Sequence, residues 1–292
     1  MISVVIVSKD EVSLDDTVTE VMRQAKGLHD SSEIVVVDAS DGRLDHIRRR
    51  HQGHIRWMQF EAPRGVRVSI PHQRNVGVNA ARGEIIVFTD AGCQPEARWL
   101  ANLIAPLLQG QDITVGLTLG APGSTGLYDR SAWRALQSQY VTECSTINFA
   151  FRRVVFDAIG GFDEGFAYGS DVDFSWRLTD AGYRIRSVPD AVIRHDWGTW
   201  RRQLRRSYVY GKARTRLYRK HRTRLKHVLR DDPMVVVYPA FLLGLPLTLV
   251  FPFYPALLLI PAWRNRSGGV IRVLADHLTY GVGVLAELVG LR

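Results

Sequence analysis

Short runs of β-branched and aromatic residues recur along the first two hundred positions, and each run stops at a polar or small residue. Residues 3–7 read SVVIV, residues 34–37 read IVVV and end at Asp38, and residues 85–88 read IIVF and end near Asp90, bracketed by Gly83 and Gly92. Continuous apolar runs of this length predict strands buried on both faces of a mostly parallel sheet. Residues 55–60 and 113–119 predict two more strands. Between the first two runs, Val18, Val21, Met22, Ala25 and Leu28 follow the i, i+3, i+4, i+7 spacing of an amphipathic helix. The piece after Pro71 and residues 99–108 also read as helices. Strands alternating with helices imply an α/β fold with right-handed crossovers. In such sheets ligands bind beyond the carboxyl ends of the strands. Asp38 and Asp90 stand at such ends, although Asp90 is equally suited to capping the helix at 99–108.

Residues 120–126 are rich in Gly, Ser and Pro and form a candidate substrate loop. Farther on, Gly160-Gly161 closes a short helix, and Asp171 and Asp173 open another that runs through Trp176, Arg177 and Leu178 to Gly182. Carboxylates in a first turn complement the helix dipole. Two of them flanking a valine after a Gly- and aromatic-rich approach are a costly arrangement for capping alone. No G-x-G-x-x-G and no P-loop is present, so the common Gly-rich phosphate cradles are absent.

VVIV, VVVDAS, RNVGVNAARGEIIVFTDAG and NFAFRRVVFDAIGGFDEGF…SDVDFSWRLTDAGYRI follow one another in order. Together they resemble the family 2 inverting glycosyltransferases over about residues 1–200. The resemblance implies the GT-A, Rossmann-like fold and a nucleotide-sugar donor. It puts Asp38 at the nucleobase and Arg74 and Asn75 in the donor-binding segment. Asp90 matches the first Asp of the D-x-D element, which contacts ribose or metal. Asp171 matches the general base, and His195 a further metal or phosphate contact. Three positions depart from the family pattern: Gly92 stands in place of the last D-x-D carboxylate, Ser170 in place of a Glu beside the base, and Ala39 in place of a second Asp after VVVD. The absence of Q-x-x-R-W argues against a polysaccharide synthase.

Sugar transfer from a nucleotide diphosphate needs positive charge on the departing diphosphate and a base for the acceptor hydroxyl. Asp171 is the expected base. Asp173 either orients it or pairs with Arg177 four residues on. Mg2+ or Mn2+ suits hard oxygen ligands, with Asp90 as the clear carboxylate and His195 as its helper. A histidine bonded to Asp196 is an equally good account of His195.

Composition changes the picture at the carboxyl end. Of the +9 net charge, thirteen Lys and Arg and no acid fall between positions 201 and 230, which leaves the remainder at −4. Nucleic acid and anionic lipid are both candidate partners for such a stretch. The next segment chooses between them: residues 234–263 carry no charge across thirty positions and are interrupted by five prolines. With basic residues on both flanks, a re-entrant or tight hairpin is expected rather than one kinked span. Residues 270–291 read as an interfacial helix. Arg201, Arg202, Arg205 and Arg206 are expected to meet an acceptor or lipid phosphate. Two cysteines are too few for a disulfide framework, and the six-residue apolar start, without basic residues before it, is not expected to act as a signal peptide.

The chain therefore divides into a GT-A domain (1–198), a basic helical linker (199–232) and an apolar hairpin with an amphipathic helix (233–292). The expected function is transfer of a sugar, from a UDP- in preference to a GDP-linked donor, to a lipid or lipid-linked acceptor. The expected place is the cytoplasmic face of the cell membrane, with no nucleic-acid partner. The alternative is an inactive nucleotide-sugar-binding scaffold, suggested by the incomplete D-x-D element.

Overall fold

The structure, a computed structural model, describes residues 1–61, 70–124, 132, 137–264 and 269–290. The expected substrate loop passes outside the described residues from position 125. Clustering of contacts gives two compact units, Met1–Asp196 and Trp197–Arg292.

The first unit is a nine-stranded sheet with flanking helices. In chain order its elements are β1 (Ile2–Ser8), α1 (Leu14–Ala25), β2 (Ser32–Asp38), α2 (Asp45–Arg50), β3 (Arg56–Gln59), α3 (Ile70–Ala80), β4 (Ile85–Asp90), β5 (Cys93–Pro95) and α4 (Trp99–Leu108). They continue with β6 (Ile113–Gly120), β7 (Tyr140–Val141), β8 (Phe149–Arg152), α5 (Arg153–Ile159), α6 (Ser170–Asp180) and β9 (Ile185–His195). The strand order is β3-β2-β1-β4-β8-β6-β9-β5, with β7 beside β9.

The first four strands pair in parallel, as the buried apolar runs imply. Beyond β4 the sheet is mixed, because β8 runs antiparallel between β4 and β6. Asn148, fully buried just before β8, fixes that insertion. Its Nδ2 donates to the carbonyls of Leu117 and Ala191, and its Oδ1 accepts from Trp99 Nε1. On the strand side of helix α6, Phe88, Phe149, Phe151, Phe156, Phe162 and Phe174 form one aromatic cluster. Rings in this range of tilted and edge contacts stabilise beyond their buried area, so α6 rests on a stiff support.

The second unit is helical: α7 (Trp200–Lys220), α8 (Val228–Asp231), α9 (Met234–Leu243), α10 (Leu259–Arg264) and α11 (Val270–Leu288). Gly211 and Gly283 let α7 and α11 touch backbone to backbone. A Cβ at Gly211 would lie 2.1 Å from Tyr280 O, and one at Gly283 2.0 Å from Tyr208 O. The polar residues of α11 are internal partners. Asp276 is buried and accepts from Gln203 and Ser207, His277 meets Tyr238, and Glu287 pairs with Arg216 at 2.8 Å. Residues 234–264 are not one helix: two 3-10 turns separate α9 from α10, where glycine and prolines break the backbone pattern. Among the described residues no helix is long and apolar enough to cross a membrane.

Candidate active site

The carboxyl ends of β2 and β4, helix α3 and the start of α6 bring together most of the expected residues. Helix α3 lies close on the sheet because Gly77 has no side chain; a Cβ there would come within 2.4 Å of Val5 Cγ1. One turn earlier, Gln73 donates to the carbonyls of Ser8 and Val37 and pins the helix over the ends of β1 and β2. This places Arg74 in the interior, 5% exposed.

Arg74 is the hub. Its Nη1 donates to Ser170 Oγ at 3.3 Å, its Nη2 stands 4.0 Å from Asp90 Oδ1, and its guanidinium lies over the Phe162 ring. Its Nε and Asp90 Oδ1 are buried with no hydrogen bond of their own. Buried polar atoms are normally paired, so both point to a ligand that completes them. Asn75 is used differently. Its amide donates to Phe162 O and Glu164 Oε1 and accepts from Phe162 N, clamping the loop that leads to α6.

Asp38 is 0% exposed at the end of β2. One oxygen accepts from Ser40 Oγ, and the Ser8 hydroxyl is the carboxylate's other close polar neighbour. Burial pushes the Asp38 carboxyl above the usual range, and the Ser40 hydrogen bonds oppose it.

Asp171 is the second residue of α6, which starts after Gly169 in the left-handed region. It is half-buried, so a side remains open to an acceptor. Its Oδ1 accepts from Val172 N at 3.0 Å. Burial raises its pKa, and the positive charge of Arg74 holds that rise back. Asp173 faces elsewhere: it is 0% exposed and accepts from Arg177 Nε at 2.9 Å, while Arg177 also donates to the carbonyls of Ile159 and Gly161. Of the two expectations for Asp173, the structure displays the pair with Arg177.

His195 ends β9 opposite Cys93, and the contact between its Nδ1 and the Cys93 sulfur is 3.5 Å. Burial pushes the Cys93 thiol up to about 12, so it stays protonated and is no thiolate ligand at neutral pH. Among the described residues no three of His, Cys, Asp and Glu converge to hold a metal ion by themselves. In the second unit, Arg201, Arg202 and Arg205 are exposed on the first turns of α7, which Thr199 caps, and Arg206 donates to Trp197 O.

Sequence reasoning missed Gln73 and Gly77, whose four-residue spacing marks the sheet face of α3. Ser170 was visible only as a departure from the family pattern, although it takes the hydrogen bond from Arg74.

Carboxylates at the ends of β2 and β4 and at the head of a facing helix, on this sheet order, define a GT-A glycosyltransferase fold. The family model for glycosyl transferase family 2 matches residues 3–169, and the chain belongs to that family. The model for glycosyl transferase family group 2 matches residues 129–265. A pre-mycofactocin glycosyltransferase of Mycobacterium tuberculosis is 30% identical over 167 residues, covering 51% of this chain and 34% of that protein. The glycosyltransferase AglE of Haloferax volcanii is 25% identical over 162 residues, covering 53% of each. The chain thus matches about a third to a half of the length of these curated relatives. In fold it is similar to the mannosyltransferase PcManGT of Pyrobaculum calidifontis, solved with GDP-Man and Mn2+. That likeness has a TM-score of 0.67 at 19% identity and covers 100% of this chain and 88% of that one.

Proposed function

We propose that this chain is an inverting glycosyltransferase that moves a sugar from a nucleoside diphosphate donor to a hydroxyl of a lipid or lipid-linked acceptor at a membrane surface. The observation that carries the reading is the position of Arg74, whose guanidinium reaches Asp90 at the end of β4 and Ser170 at the head of the helix that carries Asp171. One buried cation thus links the expected donor end to the expected base.

In the proposed reaction the acceptor oxygen attacks the anomeric carbon in line with the departing diphosphate. Asp171 takes the acceptor proton, and burial raises the affinity of its carboxylate for a proton, the direction a general base needs. Arg74 offers positive charge toward the leaving diphosphate. Asp38, with Ser8 beside it at the ends of β1 and β2, offers polar partners to the nucleobase. Asp90 presents a hard, unbonded oxygen that fits Mg2+ or Mn2+, with donor phosphates completing the ligands. Bound there, the cation would neutralise charge on the diphosphate. His195 remains a candidate second contact.

The sequence favours UDP, whereas the fold neighbour was solved with GDP-Man, so both nucleotides enter the test. The membrane reading rests on the apolar residues exposed between α9 and α10, with Leu249 at 91%, Val250 at 86% and Phe253 at 73%. Contiguous exposed apolar surface beside basic residues suits an anionic bilayer. The proposed place is the cytoplasmic face, with Arg201, Arg202, Arg205 and Arg206 toward an acceptor or lipid phosphate.

The test is donor hydrolysis by detergent-purified protein across a panel of UDP- and GDP-sugars, with Mn2+, Mg2+ or EDTA. Release of UDP or GDP from one donor, abolished in Asp171→Asn, supports the reading. Nucleotide-sugar binding without turnover, even with membrane lipids supplied, overturns it in favour of a binding scaffold.

A further inference from the structure

The D-x-D element of this chain lacks its last carboxylate, and the structure gives a physical reason. Gly92 has φ +83°, in the left-handed region that L side chains rarely adopt. Its N–H donates to Thr17 Oγ1, which in turn donates to Cys93 O, so the turn after β4 is tied to α1. A side chain at 92 would be strained. It would also be crowded: a Cβ there would meet Glu11 Cγ at 3.3 Å, Glu11 Cδ at 3.4 Å and Glu11 Oε2 at 3.7 Å. The side chain that lies beside Gly92 is Glu11, from the β1–α1 turn.

We propose that Glu11 supplies the acidic ligand that Gly92 cannot, and that Glu11 and Asp90 together hold the divalent cation of the donor diphosphate. The inference rests on the donor reading above.

Three observations support it. The two oxygens of Glu11 are differentiated: Oε1 accepts from Ser13 N at 3.2 Å, while Oε2 is the one beside Gly92. Asp90 Oδ1 is buried and unbonded two residues before Gly92. Both carboxylates also act on a common neighbour, since the negative charges of Asp90 and Glu11 add to burial in raising the Cys93 thiol. Two carboxylates on either side of the same turn would repel a diphosphate bound there unless a cation joined them, and hard oxygen donors select Mg2+ or Mn2+. Glu11 therefore acts as a metal-binding residue rather than as a simple turn former.

The experiment is a Mn2+ titration of the detergent-purified full chain followed by electron paramagnetic resonance, with UDP and separately with GDP present. Nucleotide affinity is measured in parallel in EDTA. The variant is Glu11→Gln, whose amide oxygen keeps the Ser13 hydrogen bond, compared with wild type at equal thermal stability. The expected result is Mn2+ affinity weakened about tenfold in the presence of nucleotide, with EDTA affinity unchanged or tighter because a negative charge has gone. Unchanged Mn2+ affinity overturns the proposal. So does an equal loss of metal-bound and metal-free affinity, which a role in shaping the turn would give. Wild-type binding of nucleotide without any Mn2+ dependence overturns it while leaving the donor reading intact. Binding of neither nucleotide overturns both.

Discussion

Arg74 donates to the hydroxyl of Ser170 across 96 positions of sequence, over 3.3 Å, from the interior of the first unit. The bond ties the helix over the donor strands to the first residue of the helix that carries the expected base. It also explains why a small hydroxyl suffices at 170: a single neutral acceptor leaves most of the guanidinium's charge for Asp90 and a diphosphate.

Replacing Arg74 separates its two duties. Arg74→Lys keeps a charge but loses the planar fork that spans two partners. We expect donor turnover to fall about tenfold in Arg74→Lys and about a hundredfold or more in Arg74→Ala, on the scale of losing one preorganised charge contact. Steady-state release of nucleotide from the active donor measures both. Equal activity of wild type and Arg74→Ala would remove Arg74 from the site.

The expected base, Asp171, has a pH signature. Burial raises the Asp171 pKa above the usual carboxylate range, and a base works only when ionised. Activity should therefore rise with pH along an acid limb that lies above the range of an ordinary aspartate. Arg74 lowers that pKa, so the limb should move to higher pH in Arg74→Ala, in whatever activity remains. Asp171→Asn should be inactive at every pH. The check is kcat/KM between pH 5 and 9 with donor and metal saturating; a limb that stays in place in Arg74→Ala would refute the coupling.

Much of the strand framework was readable because it depends on local pattern. The apolar runs at β1, β2, β4 and β6 fixed where strands lie, and Asp38 and Asp90 were visible as their polar ends. What pattern does not carry is partnership at long range. FAFR at β8 went unread as a strand, and its antiparallel place between β4 and β6, beside the hydrogen bonds of Asn148 to Leu117 and Ala191, is not written in any local pattern. Asn75 reads like Arg74, its neighbour, yet its amide is spent on Phe162 and Glu164. Asp276, His277 and Glu287 give α11 an interfacial pattern, whereas their partners are on α7 and α9. The relation of Glu11 to Gly92 follows from a backbone angle that no residue type announces except glycine itself.

Asp38 places function against stability. Its pKa is raised in the folded chain by burial. Below the ordinary aspartate value both folded and unfolded chains are protonated there and nothing is lost. As pH climbs from that value through the raised folded one, the unfolded chain ionises first and stability falls. Asp38→Asn should therefore melt higher at neutral pH, and the gain should shrink toward pH 4. Nucleotide binding should weaken in the same variant. Melting curves at pH 4.5 and 7.5 test the first point; a gain independent of pH would contradict the ionisation argument.

Asp173 and Arg177 form a structural pair within α6. Removing one partner weakens the hold on the other: in Arg177→Met the buried Asp173 carboxylate loses the Nε–H of its charged partner, and the carbonyls of Ile159 and Gly161 lose the guanidinium donors. Loss of one member of a buried pair costs about 3–5 kcal/mol. Denaturant midpoints should fall accordingly in Arg177→Met, and the double variant Asp173→Leu with Arg177→Met should recover part of the loss. If Arg177→Met kept full stability while losing turnover, the pair would belong to the chemistry instead.

The apolar turns between α9 and α10 make a separable claim. Leu249, Val250 and Phe253 hold most of their surface in solvent, and burying such a side chain is worth about 1.5–3 kcal/mol. Two aspartates in place of Leu249 and Val250 should lower binding to liposomes rich in anionic lipid by about a hundredfold, at about 1.4 kcal/mol per tenfold change. Donor hydrolysis in detergent should stay within about twofold, because these residues have no part in the proposed chemistry. Raising salt should weaken wild-type binding in part, through the basic residues, and leave the apolar share intact. Retained liposome flotation in the double aspartate variant would mean that this surface serves something other than a bilayer.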